Sequence, residues 1–120
     1  MTDDWSEEQK YQRYVCQVYG AEYQDTGAQD IVIVERAWNN EALPINGFRI
    51  ARTTEGPQWF IWFGEGDIPD DVGAFEAISA AELIARRDEA GAFLGLASGW
   101  RFRNIGSTTN VWFDPVILKW

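Results

Sequence analysis

The chain has 120 residues, no histidine, one cysteine, seven tryptophans and a formal charge of −9. One domain over 1–120 is expected from that length, and 46% hydrophobic residues can supply a core, which excludes wholesale disorder. Without histidine there is no Ser-His-Asp or Cys-His nucleophile pair and no His-containing zinc site, and the lone Cys16 can build neither a thiolate metal site nor an internal disulfide.

Nineteen acids against ten bases disfavour nucleic acid and anionic membranes as partners and suit a basic protein. The acidic N-terminus is unlike a signal peptide, and no apolar run reaches the roughly 18–20 residues of a membrane span. The expectation is a cytoplasmic protein with a reduced, buried Cys16.

Ser6 and Gln9 have capping-box spacing, and Tyr11, Tyr14, Val15, Val18 and Tyr19 recur at helical spacing. This predicts a helix over 6–19 whose tyrosine stripe packs on the core, ended by Gly20 in a left-handed conformation. Residues 21–30 read as a loop, and the β-branched run 31–34 as a strand. Asn39, Asn40, Pro44 and Asn46-Gly47 are turn formers, so a turn is expected just before a strand over 48–51. That strand puts Phe48 and Ile50 on one face and Arg49 on the other.

After a turn at 53–57, Trp59 to Phe63 is apolar at every position and predicts a central strand. Trp59, Ile61 and Phe63 share one face; Phe60 and Trp62 share the other, and one of the two faces is open to partial cover in a chain this short. Residues 64–85 then hold six acids and no base. A strand follows over 74–78, and Ser79 with Glu82 makes a second capping box. The helix it starts should end or bend at Gly91, with Arg86, Arg87, Asp88 and Glu89 solvated. Trp100 to Arg103 alternates as a half-buried strand and pairs as a hairpin with 111–113, and Asp114-Pro115 opens a terminal turn. Arg101 and Arg103 are expected to pair with the acidic segment. The whole predicts an α+β fold: about five strands in a mainly antiparallel sheet, with two main helices packed on it.

No chemical motif rises above this background. Gly64-Glu65-Gly66 lacks dinucleotide-binding spacing, there is no P-loop, and the acids after Phe63 do not follow the EF-hand pattern. No cofactor, metal or catalytic residue is expected.

Several segments do resemble a known family. They are Cys16 and Tyr19-Gly20, Leu43-Pro44-Ile45-Asn46-Gly47-Phe48-Arg49, and Trp59-Phe60-Ile61-Trp62-Phe63-Gly64-Glu65. Further on come Phe93-Leu94-Gly95-Leu96, Ser98-Gly99-Trp100-Arg101-Phe102 and Val111-Trp112-Phe113-Asp114. In order and spacing, over about 9–118, the chain resembles the immunity-protein family numbered thirty-three of the bacterial polymorphic-toxin systems. That resemblance implies a non-enzymatic antidote that binds a cognate toxin, here expected to be basic. The expected contact surface is Glu65, Asp67, Asp70 and Asp71, with Trp62 or Trp112 as an aromatic anchor, because interface hot spots favour Trp. The alternative is a small-ligand-binding or regulatory module whose pocket lies beside the aromatic strand. An enzyme using carboxylate or lysine chemistry is the least supported reading.

Overall fold

A computed structural model of the protein describes residues 5–36, 44–51 and 57–119. Helix α1 spans Trp5–Tyr19 and is followed by strands β1 (Ile31–Glu35), β2 (Ile45–Arg49), β3 (Trp59–Phe63) and β4 (Phe75–Ser79). Helix α2 (Ala80–Arg86) leads into a 3-10 segment, Asp88–Phe93, and then β5 (Trp100–Ile105) and β6 (Thr108–Phe113). Shorter 3-10 turns cover Val72–Ala74 and Pro115–Lys119. The turns expected at Asn39-Asn40 and over 53–56 lie outside the described residues.

The α+β class is as expected, but the sheet has six strands rather than about five, in the order β4-β1-β3-β2-β5-β6. Strand β3 inserts between β1 and β2 and runs parallel to β1; every other neighbouring pair is antiparallel. The aromatic strand β3 is interior, as its apolar character on both faces requires. Its two faces separate two cores. Trp59 and Ile61 join Cys16, Val32, Ile45, Leu83, Phe93 and Phe102 beneath the helices, while Trp62 packs with Phe48 and Ile117 on the opposite, helix-free face.

Three local readings are corrected by the structure. First, Asn46-Gly47 is not a turn but lies within β2, where every residue is buried. Gly47 faces the Phe102 ring so closely that a Cβ there would stand 2.5 Å from Cε2, so bare backbone makes room for the aromatic. Asn46 Nδ2 donates to the carbonyls of Trp62 and Gly64, tying β2 to the end of β3.

Second, the tyrosine stripe of α1 is not core. Tyr11 and Tyr14 are 62% and 64% exposed, Val18 is exposed too, and the buried residues are Gln12 and Cys16. The helix sits directly on the backbone of 91–95. Gln12 Nε2 donates to Gly91 O at 3.2 Å and Cys16 Sγ to Gly95 O at 3.3 Å. Buried carbonyls need donors, and small or polar side chains allow this approach where tyrosines would hold the helix off. Ser6 lies inside α1, whose first described residue is Trp5. At the other end Gly20 takes the expected left-handed conformation, φ +72°, and Ala21 N donates to Cys16 O in a Schellman ending.

Third, α2 stops at Arg86, well before Gly91, and Arg87 is buried rather than solvated. Its guanidinium lies 5.4 Å from the Phe63 ring centroid and reaches Glu89. The Ser79 cap is as expected, with its hydroxyl accepting from Glu82 N.

Arg49 is the main polar element of the core. It points to the helical face, opposite Phe48 and Ile50, and is 2% exposed. Its Nη1 donates to the carbonyls of Gln24, Leu94 and Leu96, Nη2 to Asp25 O, and Nε to Gln58 Oε1. One side chain thereby satisfies carbonyls of two loops that cross the sheet, with Trp59 Nε1 and Thr26 Oγ1 also donating to Leu94 O.

Candidate partner-binding surface

The helix-free face of the sheet carries the surface chemistry. Register places Ile33, Phe60, Phe48, Arg101 and Trp112 in one row across β1, β3, β2, β5 and β6. The 3-10 turn Pro115–Lys119 covers the middle of this face through Ile117, and the acidic segment after β3 covers another part through Ile68.

Trp62 is only 3% exposed, which corrects its assignment as a surface anchor. Its ring meets Phe48 edge-on at 5.6 Å and its Nε1 donates to Gly66 O at 3.1 Å. It therefore supports the acidic segment from below. Trp112 is 40% exposed on the edge strand β6, held by the Arg101 guanidinium 5.4 Å from its centroid. Arg101 pairs with Asp114 at 3.0 Å, not with the acidic segment.

The four acids differ in what already binds them. All are exposed. Glu65 pairs with Arg103 at 2.6 Å, the one expected contact between that strand and this segment. Asp71 Oδ1 accepts from Gly73 N at 2.9 Å and caps the turn Val72–Ala74. Asp67 and Asp70 have no ion pair or hydrogen bond among the described residues.

Asp70 also borders a cleft that the sequence reading did not single out. Phe60 and Ile33 from the sheet, Phe75 from β4, and Ile68, Pro69 and Val72 from the overhanging segment enclose about 330 Å³. Among the described residues Asp70 is its only charged lining residue. Val72, at 87% exposed, forms an apolar lip. The signal that could have located the cleft is Ile68-Pro69 and Val72, apolar residues set among acids, together with the partial cover expected over one face of β3.

Among the described residues no group of three or more His, Cys, Asp or Glu is placed to hold a metal ion, and no helix is long and apolar enough to cross a membrane. Burial raises the Cys16 thiol pKa, with Arg49 opposing, so the thiol is an interior group without nucleophilic activation.

Residues 11–114 match the family model described as an Imm33-like domain. No curated protein and no solved structure matches the chain.

Proposed function

The chain therefore belongs to the Imm33-like domain family, and from that premise we propose that it is a non-enzymatic immunity protein that binds and neutralises a cognate bacterial toxin in the cytoplasm. The family match carries this reading: from Tyr11 to Asp114 it spans the whole sheet, α2 and the C-terminal part of α1. The proposed contact surface is the helix-free face, with Glu65, Asp67, Asp70 and Asp71 supplying negative charge and Trp112 an exposed aromatic. Opposite charge on a basic toxin would speed encounter and select the partner. Trp62 contributes by supporting the segment that carries the acids.

The direct test is co-expression with the toxin encoded beside this gene, followed by replacement of the four acids with Asn or Gln. Loss of protection with the fold retained supports the surface assignment. Full protection by that variant removes it, and failure to bind any neighbouring gene product removes the function. The apolar cleft beside Phe60 favours one alternative, a small-ligand module, which a ligand-dependent shift in melting temperature without any toxin partner would support.

A further inference from the structure

We propose that the cleft under Val72 receives one bulky apolar side chain of the partner protein, presented on a segment that carries lysine or arginine beside it. The inference rests on the immunity reading above and adds the chemistry of the contact. Three observations bear on it. The floor and lip are apolar, formed by Ile33, Phe60, Ile68, Pro69, Val72 and Phe75. The cleft is half open to solvent, and its volume of about 330 Å³ is more than enough to seat a leucine-, methionine- or phenylalanine-sized group. The carboxylates of the overhanging segment are unevenly committed.

That third point sets the charge of the occupant. Glu65 is held by Arg103 and Asp71 is held by its cap to Gly73 N. Arg36 is a base that reaches this segment, and its Nε donates to Gly73 O at 3.1 Å. Asp70 at the rim and Asp67 three residues before it keep both carboxylates exposed, with no ion pair among the described residues. An apolar socket with one uncommitted carboxylate in its lining, Asp70, and a second on the same segment, Asp67, complements an apolar anchor flanked by positive charge. It disfavours the same anchor flanked by acids, because like-charge juxtaposition is repulsive. An aromatic or aliphatic anchor in a dry pocket with a charged rim is also the usual anatomy of an interface hot spot.

The test has two arms. In the first, short peptides with a central phenylalanine flanked by lysine, serine or glutamate are titrated into the full chain, and methyl resonances of Ile33, Ile68 and Val72 are followed by NMR. The lysine-flanked peptide is expected to shift these methyls and the glutamate-flanked one to leave them in place. The double variant Asp67→Asn with Asp70→Asn is expected to weaken binding of the lysine-flanked peptide by roughly three- to tenfold. Equal binding of all three peptides, or no shift with any, overturns the proposal; equal binding would indicate a neutral small-ligand pocket.

In the second arm the probe is the toxin domain encoded beside this gene. Val72→Lys is expected to raise Kd by about tenfold or more. Val72 is almost wholly exposed, so this variant should fold normally. Val18→Lys, on an exposed face of α1, is the matched control and is expected to leave Kd unchanged. A complex indifferent to Val72→Lys overturns the docking assignment while the immunity reading stands. Absence of any complex overturns the immunity reading, and the peptide arm still decides the fate of the cleft.

Discussion

Replacing Gly47 with alanine should destabilise this protein although alanine is the smallest possible addition. A Cβ at this position would lie 2.5 Å from Phe102 Cε2, 2.8 Å from Cζ and 3.3 Å from Ile61 Cδ1. Carbon atoms normally rest about 3.5–4.0 Å apart, so the ring must retreat by roughly an ångström. It has little room, because Phe93 stacks on it at 4.4 Å and Trp59 tilts against it at 5.8 Å. Strand β2 cannot move away either, since it is hydrogen-bonded to β3 on one side and β5 on the other.

Overpacking of this kind costs about 1–3 kcal/mol. Removing glycine's extra unfolded-state freedom returns about 0.4–1 kcal/mol. The net expectation is a loss of about 1–2 kcal/mol. Urea unfolding followed by tryptophan fluorescence reads it as a lower midpoint at unchanged slope. In a Phe102→Leu background the same change should cost at least about 1 kcal/mol less, because the ring that it strikes is gone. Equal or greater stability of Gly47→Ala, or strict additivity in the double variant, would refute the packing argument.

Other consequences can be measured alongside. Arg49→Lys should destabilise by about 2–4 kcal/mol in the same unfolding assay, because an ammonium has three donors and cannot reproduce the guanidinium's contacts with two loops and Gln58. Ser79→Ala should cost about 1 kcal/mol through loss of the α2 cap. Cys16 should resist a thiol reagent in the native protein and react only on unfolding, since it is buried and its pKa is raised. Burial, then Asp88 and Glu7, raise the pKa of Glu8 above its ordinary 4.5, so its charged form is a penalty in the folded state. Glu8→Gln should therefore stabilise the fold at pH 7. That advantage should shrink as pH falls through the raised pKa and vanish below 4.5, where Glu8 is protonated folded and unfolded alike.

Much of the architecture could be read from local pattern. The helix α1, the interior strand β3, the Ser79 cap and the β5–β6 hairpin each follow from periodicity or capping chemistry that acts over a few residues. What could not be read depends on distant partners. Asn46-Gly47 has strong turn chemistry, yet Phe102, more than fifty residues away, needs the bare backbone of Gly47. The tyrosines of α1 make the more apolar stripe, but Gly91 and Gly95 present buried carbonyls, so the helix turns Gln12 and Cys16 inward. Trp62 shows the same limit within the proposed surface. Proximity in sequence to the acids said nothing of its burial, which is set by Phe48 and by Ile117 at the far end of the chain. The acidic segment was legible as charge; the cleft that it overhangs was not, because its floor comes from β1, β3 and β4 together.

The helix-free face is proposed to neutralise a toxin by contact. The decisive measurement is the affinity of the full chain for the toxin domain encoded beside it, for the wild type and for the variant combining Glu65→Gln, Asp67→Asn, Asp70→Asn and Asp71→Asn. The expected result is a one-to-one complex that blocks toxin activity, is weakened about tenfold or more by the four substitutions, and loses strength as salt rises. A complex whose affinity is untouched by those substitutions would contradict the surface, and no complex at all would contradict the function.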